Sequence, residues 1–386
     1  MRTALCRPVY IILFLSFQIL AAGGCSMGPS ILRGNRLDYN ISLQKSNNED
    51  LLVNLVRARF FDPLFFLQVG SVSSTFNYGA SVGASAALLE KSSKLGQLNT
   101  YHPSLGASIA EAPTIIYAPL QGSQAVKQLL SEISADKIML LVRTGWDLNS
   151  VIWMTVQRLG PLSNFDPGWK KDSPRIEGYG KFLDLTRMMS AMQENGDLEF
   201  SGMEQTESGV ASLIVALTFD GIDEYRRMEA LLDLRRPPKT LPDGRCFKLL
   251  RLTTVGTLKE DEAENVHLKL RSFLGVLYDL SQSYPEPGAA MEEKTPPRFT
   301  ALPDEIRAKK GLHEGLIRIR TSDAQPSDAF VAVFYRGKWH YISDSDPKSK
   351  GHFTLLGILF ALQSAEVPVV QPVLTLPAAT APSAPR

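Results

Sequence analysis

Apolar and polar positions alternate almost strictly over one stretch of this chain and recur at helical spacing over much of the rest. From Ser71 to Ala86 the odd positions hold Ser, Thr, Asn or Gly, while the even ones run Val72, Ser74, Phe76, Tyr78, Ala80, Val82, Ala84 and Ala86. A period of two kept up far beyond the ~5–6 residues of an average strand predicts one very long β-strand. A second run places Leu105, Ala107 and Ile109 on one face and Ser104, Gly106, Ser108 and Ala110 on the other; Pro113 interrupts it before Ile115 and Tyr117. Leu88–Pro103 between the runs has loop composition, so a long hairpin of small residues is predicted over Ser71–Tyr117.

Ahead of this hairpin, Ser46-Asn47-Asn48-Glu49 matches a capping box and opens a predicted helix through Phe61, stopped by Asp62-Pro63. Leu51, Leu52, Leu55, Val56 and Phe60 form its buried stripe, with Arg57 and Arg59 off it. Residues 26–45 lack any pattern. Behind the hairpin, helical spacing appears over Gln121–Ser134, and Ile138–Val142 and Leu148–Leu159 continue apolar. Glu177–Glu194 reads as a helix, Leu198–Met203 and Val210–Phe219 as strands, Asp223–Leu234 as a helix and Cys246–Thr254 as a strand. Val266, Leu270, Phe273, Leu274 and Leu277 predict a long helix over Glu262–Tyr284. Further on, Leu316–Ile319 reads as a strand, and Phe330–Tyr335 and Trp339–Ile342 as a hairpin turning at Arg336-Gly337-Lys338. Asp346 is placed to cap a helix with Pro347 at its first position, and that helix is apolar nearly all round through Leu362. Val369–Leu376 is a further strand candidate.

These elements predict an α+β protein: an N-terminal helix, a long β-hairpin and helices, then mixed α+β units. Gly160-Pro161 and Asp166-Pro167-Gly168 break the chain, and a Pro-rich stretch runs from Pro285 to Pro303. The expected organisation is a signal segment over 1–24, a tether over 25–45, a helix and hairpin domain over 46–160 and an α+β domain over 175–284. A linker over 285–312, a small α+β unit over 313–376 and a Pro/Ala tail over 377–386 complete it. A length of 386 residues is ample for two or three folding units.

Charge narrows the function classes. Lys and Arg number 41 against 40 Asp and Glu, which excludes a strongly basic nucleic-acid binder. The start of the chain changes the picture more. Arg2 and Arg7 precede an apolar stretch, Val9–Ala22, followed by Gly23 and Gly24 without a cationic stop. At ~1.5 Å per residue that stretch reaches roughly 21 Å, short of a ~30 Å hydrocarbon core, so it reads as a secretory signal. Of the three cysteines, Cys6 leaves with the signal and Cys246 stands alone in the body of the chain.

Candidate chemistry is sparse. Gly79-Ala80-Ser81-Val82-Gly83 matches the G-x-S-x-G elbow, which needs Ser81 at a sharp strand-to-helix turn and a His oriented by an acid, such as His352 with Asp346 or Asp344. Ser81 is equally one beat of a Ser/Gly alternation that starts ten residues earlier. His340 with Asp344 and Asp346 suggests a metal or acid–base cluster, but hairpin surface and helix cap account for the same residues. His102, His267 and His313 add no metal-ligand spacing, Cys246 reads as a buried small hydrophobe, and Trp146, Trp153, Trp169 and Trp339 are scattered. No phosphate-loop motif occurs. The expectation is a non-enzymatic protein with no catalytic residues, metal or cofactor.

Ala22-Gly23-Gly24-Cys25 resembles the lipobox of bacterial lipoproteins, in which the cysteine is lipidated and becomes the mature N-terminus; Ala22 departs from the usual Leu. The resemblance implies lipidation at Cys25, and Ser26 rather than Asp after it implies the outer membrane of a Gram-negative cell, facing the periplasm. LLVNLVRARFFDPLFFLQVGSVSSTF, APTIIYAPLQG and DAFVAVFYRGKWHYISDSD resemble segments of Gram-negative lipoproteins of unknown function. What this carries over is the anchoring and the α+β character. The expected partners are the membrane, through lipid, and other envelope proteins, with no nucleic acid; a homo-oligomer is among the arrangements to test.

The first functional expectation is a lipid-anchored envelope protein working by protein contacts. An alternative is a subunit of an oligomeric outer-membrane pore or export assembly using the hairpin, which has the ~9–11 residues of a spanning strand and carries Phe76, Tyr78 and Tyr101. Two strands close no barrel, so insertion demands a ring, and Ala and Gly on the lipid-facing positions weigh against it. A serine hydrolase through Ser81 is the third.

Overall fold

The computed structural model describes residues 27–87, 100–120, 122–165, 175–205, 211–254, 262–282, 316–365 and 374–377. The signal segment, Cys25, Ser26, the loop over 88–99, Trp169, the linker over 285–312, His313 and the tail beyond Pro377 lie outside them. The fold is α+β, as the alternation of rhythms predicts. It divides into two units whose segments interleave: 1–62, 165–180 and 277–357 in the first, and 63–164, 181–276 and 358–386 in the second. The sequence reading takes these segments in consecutive order instead.

In the first unit, α1 spans Met27–Arg59 as one helix. Residues 27–45, expected to be a patternless tether, are helical, and the capping-box match at Ser46–Glu49 lies mid-helix rather than at a start. From Leu37 on, burial begins only at Leu51; Leu52, Leu55 and Val56 are fully buried, whereas Leu37 and Ile41 are exposed. Arg59, expected off the stripe, is buried and donates from Nη1 to the Gln282 side chain at 2.8 Å. Strands β11 (Ala329–Tyr335) and β12 (Lys338–Ser343) form a tight hairpin, with β10 (Arg320–Ser322) on the other side of β12. Arg336 and Gly337 at the turn both take positive φ, 49° and 81°, as a two-residue hairpin connection requires. Leu316, Ile317 and Ile319 are buried without forming the expected strand, which starts only at Arg320. Helix α8 (Pro347–Ser364) begins on the cap the sequence predicts: Asp346 accepts from the Ser349 amide at 3.1 Å.

The second unit is built on a sheet whose path runs β4-β3-β9-β8-β6-β5, with β7 also on β8. The strands are β3 (Val156–Leu159), β4 (Leu162–Ser163), β5 (Leu198–Gln205), β6 (Ala211–Phe219), β7 (Lys239–Thr240), β8 (Cys246–Thr253) and β9 (Glu264–Leu270). Only the β8–β9 pair is parallel. Helices α2 (Ser123–Leu130), α3 (Ala135–Arg143), α4 (Leu148–Thr155), the later part of α5 (Arg175–Asn195) and α6 (Ile222–Leu232) belong to it, with the start of α7 (Phe273–Ser281) and the end of α8, from Ile358 on. The long helix expected over Glu262–Tyr284 is a strand and a short helix. Glu264, Val266, Leu268 and Leu270 are buried at every second position, and Val266 and Leu270 satisfy helical spacing by coincidence. Beside β8, a carboxylate is sequestered with its partners: Glu264 meets Lys248 Nζ at 2.6 Å and accepts from the Arg235 amide at 2.6 Å. Burial opposes ionisation there, yet that amide and Lys248 outweigh it and hold the carboxyl below its ordinary range.

Candidate functional site

The second unit also carries the predicted hairpin, and it is longer than the alternation alone suggests. Strand β1 covers Leu67–Ala87, 21 residues, and β2 covers Thr100–Pro119, 20 residues. They pair antiparallel from Leu67↔Pro119 to Ala87↔Thr100 with one irregularity, at Gly70 between Val69 and Ser71. At ~3.4 Å per residue the ribbon runs roughly 68 Å.

Its root is fixed in the core of its unit. Phe66 is 3% exposed, and its ring lies 6.0 Å from Phe273 and 5.0 Å from Phe360. The Phe66 carbonyl accepts from the Leu120 amide at 3.0 Å, closing the base. Above the root, support is thin. Strand β13 (Leu374–Pro377) pairs with β2 only over Thr114–Tyr117. Among the described residues β1 has no other strand on its outer edge, β2 has none beyond Thr114, and no helix runs alongside either. A two-stranded ribbon of this length is marginal alone in water, and its bare edges are templates for another strand.

The register sorts the residues by face. Tyr78 is opposite Ile109, Ala80 opposite Ala107, Val82 opposite Leu105, Ala84 opposite Pro103 and Ala86 opposite Tyr101. Directly opposed residues share a face, so the apolar beats of the two strands coincide. The other face pairs Asn77 with Ala110, Gly79 with Ser108, Ser81 with Gly106, Gly83 with Ser104 and Ser85 with His102. Charged residues make up 21% of the whole chain, yet β1 and β2 contain one, Glu111, opposite Phe76. This is a two-faced ribbon with a single charge, and among the described residues it is the feature least explained by packing.

The other candidates resolve into scaffolding. Ser81 sits mid-strand opposite Gly106, without the strand-to-helix turn an elbow needs, and α8 holds His352 with Nδ1 at 2.6 Å from the Leu316 carbonyl. His340 is buried, its Nε2 3.1 Å from the Tyr335 carbonyl; burial pushes its pKa down against that contact. Asp346 caps α8, and Asp344 pairs with Lys350 at 2.6 Å. Among the described residues no group of three or more His, Cys, Asp and Glu is placed to hold a metal. Cys246 is a buried thiol on β8. Sequence reasoning missed the clamp at the end of α1, where Asp62 accepts from the Tyr335 hydroxyl and from Arg336 Nη2, both at 2.7 Å. Arg336 also lies over the Phe60 ring at 4.6 Å, and nothing in the local pattern announces pairs so distant in sequence.

Comparison with protein-family models, with curated proteins and with solved structures finds no match to this chain.

Proposed function

We propose that this chain is a lipid-anchored, non-enzymatic envelope protein on the periplasmic side of the outer membrane, acting through contacts of its β1–β2 ribbon with other protein chains. The observation that carries this reading is the ribbon with both edges bare over Ser71–Ala87 and Thr100–Pro113 among the described residues. An extended edge gains affinity by main-chain hydrogen bonding to an added strand. Cys25 supplies the membrane attachment, since acyl chains contribute ~0.8 kcal/mol per buried CH₂. Helix α1 then acts as a spacer: from Met27 to Asp50 it rises roughly 35 Å at ~1.5 Å per residue.

A photo-crosslinking residue at Asn77 in the intact chain, in cells, yields protein adducts on this reading, and one at exposed Lys338 does not. Absence of adducts at Asn77 in chain that is folded overturns it. Labelling with a palmitate analogue, present in the native chain and lost in Cys25→Ser, checks the anchor. Unlabelled native chain recovered with the soluble periplasmic proteins overturns that part.

The register favours a second reading, a subunit of an oligomeric pore, and the inference below develops it.

A further inference from the structure

Resting on the contact reading above, we propose that the ribbon's partner is the ribbon of further copies of this chain, and that several copies close into a β-barrel spanning a lipid bilayer. Val82 and Leu105 mark the lipid-facing side and Ser81 and Gly106 the lumen.

The dimensions lead to this. The chargeless side extends from the rung of Tyr101 to that of Tyr78, and the next rung, Phe76 opposite Glu111, ends it. Tyr78–Ala86, nine residues, falls in the ~9–11 residues of a membrane-crossing strand. Eight steps of ~3.4 Å tilted by ~40° give roughly 21 Å, and the Phe76–Glu111 rung then falls at the interface that bounds the ~25 Å apolar band of known membrane barrels. Tyr101 stands at one end of the band and Phe76 and Tyr78 at the other, the places where interfacial aromatics belong. Between them this side carries Ala, Val, Leu, Ile and Pro and no glycine, which the separate strands did not reveal. The opposite side is Ser, Gly and Asn with Ala110 and His102, mostly small and polar, as a water-filled interior wants.

The partner follows from the edges. Hydrocarbon offers no hydrogen bonds to bare backbone, so a lone ribbon cannot stay there. Each copy offers one free β1 edge and one free β2 edge, and β1 of one copy against β2 of the next continues the antiparallel order with an even strand number. On β2, Pro103 and Pro113 have no N–H to donate and bracket the proline-free run Ser104–Ala112. Its part Ser104–Ile109, opposite Tyr78–Gly83 of its own β1, lies within the band and can bond fully to a neighbour. The smallest membrane barrels have ~8 strands, so at least about four copies are needed.

The test uses the full lipidated chain with Cys246→Ala, reconstituted in phosphatidylethanolamine–phosphatidylglycerol vesicles. Single cysteines at Ala80, Val82 and Ala84, and separately at Gly79, Ser81 and Gly83, are labelled with an environment-sensitive fluorophore. The expected result is blue-shifted emission, quenched by lipid-borne quenchers, at the first three and water-like emission at the others, in particles of four or more subunits. Water-like emission at all six, or monomeric particles in the vesicles, overturns the inference. Asn77 adducts containing only other chains, alongside uniform water-like emission, sink the barrel and leave the contact reading standing. Absence of any adduct removes both.

Discussion

Two antiparallel hairpins of the chain, β1–β2 and β11–β12, are written in the same alternating script and used in opposite ways. In β11–β12 the inward positions hold Val331, Val333, His340 and Ile342, all buried. Phe330 meets Phe353 of α8 edge-on at 6.2 Å, and the Asp62 clamp ties the turn to the end of α1. In β1–β2 the alternation is longer, the residues are smaller, and only the root at Phe66 and Leu120 is held by core. Periodicity thus tells that a segment is a strand. What its face is for depends on residue size, on charge and on whether other elements cover it.

The sharpest way to break the comparison is to put a charge at matching depth in each hairpin. Val82→Arg places a guanidinium at the midpoint of the proposed lipid band, where it costs about 2–4 kcal/mol per copy. Membrane insertion is expected to be lost while the thermal unfolding of the remaining fold stays unchanged. Ser81→Arg, one register position away, is expected to keep insertion; flotation assays with both variants decide it, and equal loss in both contradicts the assignment of faces.

Truncation is the next largest effect and runs the other way. Ile342→Ala removes a fully buried side chain from the short hairpin and is expected to destabilise the first unit by about 2–5 kcal/mol in denaturant titration. Ala80→Gly in the ribbon should change unfolding by under ~1 kcal/mol. Breaking the clamp is smaller: Asp62→Ala deletes two charge-assisted bonds to Tyr335 and Arg336, an expected loss of about 1–3 kcal/mol by the same titration.

The smallest effect is a pH dependence confined to the short hairpin. Burial lowers the pKa of His340 from its ordinary 6.5, so the unfolded chain takes up a proton before the folded one does. Stability of the first unit should therefore fall as pH drops from 6.5 toward that lower value, and His340→Gln should flatten the slope. Unfolding midpoints measured from pH 7.5 down to pH 5 check the sign.

Much of this fold is written locally. The ribbon, β11–β12 with its Arg336-Gly337 turn, and the Asp346 cap of α8 all rest on neighbours in sequence, and all were readable there. Residues 27–45 were not, because they carry no apolar stripe at helical spacing, and from Leu37 to Lys45 none is buried. The segment 262–284 misled because Val266 and Leu270 fit spacings of both two and four, and pairing with β8 decided between them. The interleaving of the two units depends on contacts between distant segments, such as Arg59 with Gln282, which no local pattern encodes. For the candidate site, alternation revealed the two strands, while the alignment of their apolar faces and the width of the band needed the register.

The central claim is that ribbons from several copies enclose water across a bilayer, and ionic conductance tests it most directly. Intact chain added to a planar bilayer should give discrete, ohmic current steps, absent for Val82→Arg and retained for Ser81→Arg. A bilayer that stays silent while the same preparation is bound to it at measurable density contradicts the account.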